Sequence, residues 1–161
     1  MVVHVIDTPQ EITAGDLLLN YIYSILKFLH DRCPTLVFVC PEMQRPDEVD
    51  LSSTDRWVEV EFYSEAINSR FATMWLRVCV EETVANPARV ALGIDDTLLE
   101  ALNTPSVQMY DCSNPADPQE IDGRLIALRR GQPKGRGRHT QGVFERVVQY
   151  TTIWPRLGVI E

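Results

Sequence analysis

The segment Arg129-Arg-Gly-Gln-Pro-Lys-Gly-Arg-Gly-Arg-His139 gathers the residue types best suited to holding phosphate or carboxylate groups. Guanidinium forks bind such anions bidentately, and the interspersed glycines let the backbone come close. Arg129, Arg130, Lys134, Arg136 and Arg138 are therefore the candidate partner- or phosphate-binding residues, with Trp154 as an exposed aromatic contact beyond them. Six Lys and Arg residues and no acidic residue lie between Arg124 and His139, whereas the rest of the 161-residue chain has nine basic against 23 acidic residues. The chain carries one basic island on an acidic body of net charge -8. No aromatics are interleaved within the island for base stacking. This favours a protein partner, with RNA or DNA as the alternative.

Other chemistry is more thinly represented. Asp7, Asp95, Asp96 and Asp111 fall near the ends of expected strands, where neighbouring carboxylates could hold Mg²⁺ for phosphoryl transfer. Each also has a plainer role: Asp95 and Asp96 suit a helix cap, Asp7 precedes a helix N-terminus, and Asp111 sits in a turn-like region. His4, His30 and His139 are too scattered for a triad, and there is no G-x-S-x-G. Gly135-Arg-Gly137 lacks the third glycine and the following helix of a dinucleotide fingerprint, so no cofactor is expected. Cys33, Cys40, Cys79 and Cys112 form no C-x-x-C pair and read as buried free thiols.

These residues need elements to position them. Residues 1–7 read as a short strand, and Thr8-Pro9-Gln10-Glu11 supplies a cap, a first-turn proline and a carboxylate that can reach back. The helix that follows carries Leu18, Ile22, Ile25 and Leu29 on one stripe and ends before Pro34. Thr35 to Cys40 reads as an inner strand, and residues 41–56 as a polar excursion. Trp57 to Phe62 alternates, placing Val58, Val60 and Phe62 on one face and Trp57, Glu59 and Glu61 on a wet one. Ser64 then caps an expected second long helix over 64–86, carried by Ile67, Phe71, Met74, Trp75 and Val78 and ended by Pro87. Arg89 to Ile94 is a candidate strand, Asp95-Asp96-Thr97 the cap of a short helix, and Val107 to Cys112 a further strand. Arg124 to Leu128 and Val143 to Tyr150 form the arms of a late hairpin joined by a glycine-rich loop at about 129–142, expected to be flexible at its tip.

Hydrophobic residues at 45% and charged residues at 24% are ordinary globular proportions, and the length suits a single domain over 1–161. No apolar run is long enough to span a bilayer, and Met1-Val2-Val3-His4-Val5-Ile6 has no basic n-region. An intracellular protein, cytoplasmic or nuclear, is expected. The fold expected is α+β, a mixed or mainly antiparallel sheet covered by the two long helices, with a three-layer α/β sheet as the alternative.

The leading strand and apolar helix, the run from Trp57 to Phe62 into the Ser64 helix, and the late hairpin ending Val143-Phe-Glu-Arg-Val-Val-Gln-Tyr-Thr-Thr-Ile153 resemble HORMA-domain adaptors. The resemblance spans about half the chain and implies a non-enzymatic adaptor or scaffold. The family normally continues with a C-terminal segment that closes over a bound peptide. Here only Trp154 to Glu161 follow the hairpin, so the resemblance implies a reduced scaffold without belt closure.

Overall fold

The computed structural model describes residues 14–40, 51–63, 71–111, 116–133 and 137–153. The expected first strand and the capping sequence at Thr8 lie outside these residues. Helix α1 spans Ala14–Arg32, and its buried stripe is Tyr21, Ile22, Ile25 and Leu29, the four-residue recurrence of a helix with one inner face. His30 and Arg32 occupy its last turn, where positive charge complements the carbonyl end. Strand β1 (Phe38–Val39) is shorter than the expected 35–40 because only these two residues pair, in parallel, with Val58 and Glu59 of β2 (Arg56–Tyr63).

Strand β3 (Phe71–Glu81) takes the place of the middle of the helix expected over 64–86, whose first residues, 64–70, lie outside the described residues. It pairs antiparallel with β2 on one side and, along its whole length, with β7 (Val143–Ile153) on the other. Met74, Leu76, Val78 and Val80 alternate into the core, while Trp75 and Cys79 also make the opposite face partly apolar. Two apolar faces on a central strand generate helix-like three- and four-residue spacings by coincidence. One of the features behind the HORMA resemblance is therefore a strand over 71–81.

A second correction follows. Residues 89–94 are the first half of helix α2 (Pro87–Ala101), not a strand. Asn86 caps it in the left-handed region at φ 53°, and Pro87 supplies the fixed φ of the first turn. Asp95, Asp96 and Thr97 lie mid-helix rather than at a cap. Strands β4 (Ser106–Asp111) and β5 (Gln119–Pro133) form an antiparallel pair, β5 pairs with β7 as the expected late hairpin, and β6 (Arg138–Thr140) adds to β7.

The fold is α+β, with a mixed sheet of order β1-β2-β3-β7-β5-β4 in which every described pairing except β1 with β2 is antiparallel. Both helices contribute to one apolar cluster: Tyr21, Ile25 and Leu29 from α1 join Ala91, Ile94 and Leu98 from α2 over Val60, Leu76, Val78 and Tyr150 of the sheet. Both helices thus pack with the sheet into one cluster. Polar pins fix them there. Tyr21 Oη and Thr152 Oγ1 share a hydrogen bond at 2.5 Å, and Tyr110 N–H donates to Ser24 Oγ at 2.8 Å, tying edge strand β4 to α1. Arg146, the one charged residue of β7 on the inner face, donates from Nε to Asp95 Oδ2 of α2 at 3.3 Å.

Candidate functional site

The basic island is built into the sheet to a greater extent than a free loop would be. Arg129 lies in β5 opposite Thr151 and is exposed, Arg130 lies opposite Tyr150, and Arg138 begins β6 opposite Glu145. Lys134, Arg136 and Trp154 fall outside the described residues. The β6–β7 turn is tight: Gln141 at φ 50° and Gly142 at φ 79° are both left-handed, the pairing that suits the twist of a two-residue hairpin. Gly137 is required for a different reason. A Cβ there would lie 2.2 Å from Phe144 Cζ, so the ring rests directly on the glycine backbone. An ion pair and a hydrogen bond anchor β6. Arg138 Nε lies 3.5 Å from Glu145 Oε2, and His139 Nδ1 lies 2.5 Å from Glu82 Oε1 in the turn after β3.

The sheet face opposite the helices presents a second set of charges, which sequence reading did not assemble. Arg77 of β3 reaches Glu59 Oε2 at 3.0 Å and Glu61 Oε1 at 3.1 Å, both on β2. Trp57 Nε1 donates to the other oxygen of Glu59 at 3.3 Å. Burial alone would lower the Arg77 guanidinium, but Glu61 and Glu59, with Glu145 beyond them, hold it above its ordinary value. The arginine is therefore firmly charged and already neutralised. The wet face of β2 was legible in Glu59 and Glu61, but their partner was hidden because its strand reads as a helix. Beside it, burial pushes the Cys79 thiol up to about 12, helped by Glu59 and Glu145, so it supplies no thiolate near neutral pH.

The same open face carries Leu125 and Arg129 on β5. Leu125 is 49% exposed, the largest value among the described large hydrophobic residues. Strand β4 accompanies β5 only as far as Ser106 opposite Ala127, with one further bond from Leu128 N–H to Pro105 O at 3.1 Å. Arg129, Arg130 and Pro133 of β5 pair among the described residues with β7 alone, with a register shift between Arg130 and Pro133. One side of its backbone there has the donors and acceptors of a sheet edge, next to an exposed guanidinium.

The described Asp residues are not a set of strand ends. Asp7 lies outside the described residues, Asp95 and Asp96 are on α2, and Asp111 is buried at the end of β4. Among the described residues, no group of three His, Cys, Asp or Glu side chains is placed to hold a metal ion. A cleft of about 150 Å³ between β1, β2 and α2 is lined by Thr35, Val37, Thr54, Arg56 and Ile94 among others. Its guanidinium is held by Asp55 at 2.8 Å. Among the described residues, no helix is long and apolar enough to cross a membrane.

Comparison with known proteins gives the fold alone. No family model and no curated protein matches the chain. A solved structure whose designation is a serial label without functional meaning superposes with a TM-score of 0.53 at 10% identity, covering 94% of this chain and 100% of that one. At that identity the likeness extends to the α+β architecture and to no activity.

Proposed function

We propose that the chain is a non-enzymatic interaction module that receives an extended, acidic segment of a protein partner along the free side of β5. The observation that carries this reading is that Arg129, Arg130 and Pro133 pair on one side only among the described residues, beside the exposed Arg129 and Leu125. Strand addition draws affinity from main-chain hydrogen bonds and selectivity from side chains flanking the edge. Here the flanking charge is positive, and Lys134 and Arg136 follow directly in sequence. An adaptor or scaffold role is also what the HORMA resemblance implies, and it is kept here as part of the same proposal.

Nucleic acid is the less favoured ligand. Arg138 is already paired with Glu145, and Glu82 stands beside His139, so a phosphate backbone laid along β6 would meet carboxylates. The test is a pull-down from native extract with wild-type protein and with Arg129→Glu combined with Arg136→Glu, each with and without nuclease. A protein captured despite nuclease and lost with the charge reversals is the expected result. Binding should also slow hydrogen exchange of the amides of residues 129–132. Recovery of only nuclease-sensitive material, or capture indifferent to the reversals, overturns the reading.

A further inference from the structure

The free stretch of β5 is closed at both ends, and the two closures limit the chain it can take. Leu128 donates its N–H to Pro105 O at 3.1 Å, on the side where β4 lies. Main-chain groups alternate sides along a strand, so Arg130 directs its N–H and C=O to that same side. Among the described residues, Arg130 is the first beyond β4 with both groups on the open side and neither taken by β4. At the other end Pro133 has no N–H, and the register shift between Arg130 and Pro133 breaks the regular ladder. Only a short strand can be added between these limits.

We infer, resting on the strand-addition reading above, that the segment received is the C-terminal tail of a partner protein, with its α-carboxylate on Arg129. A strand added antiparallel to β5 runs in the direction of β4, which is itself antiparallel to β5. One of its residues exchanges both main-chain bonds with Arg130, and the next lies opposite Arg129. The residue after that would need the Leu128 N–H, which Pro105 O holds, and its path is filled by the start of β4 at Ser106. A chain that ends opposite Arg129 meets neither obstacle. It also brings a terminal carboxylate to an exposed guanidinium, whose paired N–H donors match it. Run in the opposite direction, the chain would bring its terminal ammonium to Arg129, like charge against like. Pairing over so few residues supplies few main-chain bonds, so the contact at the chain end selects free C-termini over internal segments.

Fluorescence polarisation with the full chain tests this, the probe being an N-terminally labelled Thr-Val-Glu-Val-Glu peptide in three forms: free acid, C-terminal amide, and extended by a Gly-Gly-Ser amide. The free acid should bind about tenfold more tightly than either other form, and Arg129→Ala, its folding verified by circular dichroism, should abolish that preference. Bound free acid should slow hydrogen exchange at the Arg130 amide and leave the Leu128 amide, already bonded, unchanged. Equal binding by all three forms, each slowing exchange at Arg130, overturns the tail inference and leaves strand addition standing. A preference for the free acid that survives Arg129→Ala overturns the inference too, because the carboxylate then sits elsewhere. No binding by any form, with exchange at Arg130 unaltered, overturns both.

Discussion

The buried thiol of Cys79 makes stability depend on alkaline pH in a way that can be worked out from its surroundings. Cys79 is 1% exposed, packed with Val39 and Trp57, and faces Glu59 and Glu145. Its ordinary value of 9.0 rises to about 12 in the fold. A thiol whose folded value is raised contributes stability that is fully present below its unfolded value and is lost as pH rises towards the folded one. Between about pH 7 and about pH 10 the unfolded chain gains roughly 1–2 kcal/mol by releasing this proton, while the folded chain gains almost nothing. Cys79→Ala removes that contribution. Urea denaturation under reducing conditions at the two pH values should show the wild type losing roughly 1–2 kcal/mol more than the variant. Cys33, whose thiol burial also raises, is common to both proteins and cancels in the difference. Equal losses in the two proteins would refute the reasoning.

Asp95→Ala should destabilise by about 2–4 kcal/mol in chemical denaturation, because it strands Arg146 on the inner face of β7; Asp95→Ala with Arg146→Met should recover much of the loss. Ser24→Ala should cost about 1–2 kcal/mol by leaving the Tyr110 N–H without its acceptor, and amide exchange at Tyr110 should accelerate. Gly137→Ala should cost about 1–3 kcal/mol and loosen β6, seen as faster exchange of residues 138–140, because the added Cβ displaces the Phe144 ring.

The parts of the fold legible in the sequence are those with a single apolar face. The stripe of α1, the alternation of Val58, Val60 and Phe62 in β2, and the arms at β5 and β7 each read correctly because burial on one side leaves a clean period. Strand β3 did not, since Trp75 and Cys79 face away from the helices and blur its alternation. In α2 the exposed Leu92 and the buried Asp95 invert the expected polarity, and Asn86-Pro87 was the start signal that competed with them. Misreading these two elements also concealed the site geometry. Arg77 cannot be matched to Glu59 and Glu61, nor Asp95 to Arg146, until both neighbours are known to be in register. The basic island was visible as composition, but its anchoring to Glu145 and Glu82 depends on pairings between strands distant in sequence.

The position of β7 has a consequence for biosynthesis. It lies between β3 and β5 in the sheet, yet it is translated after both. Until it emerges, β2–β3 and β4–β5 are two separate hairpins, each with an unpaired inner strand where β7 will insert. Assembly is therefore governed by sequence-distant pairing and completed late, so nascent chains that stop before Val143 expose two sticky edges at once. Such intermediates are natural clients for chaperones, and ribosome pausing upstream of residue 143 would raise aggregation more than pausing after it.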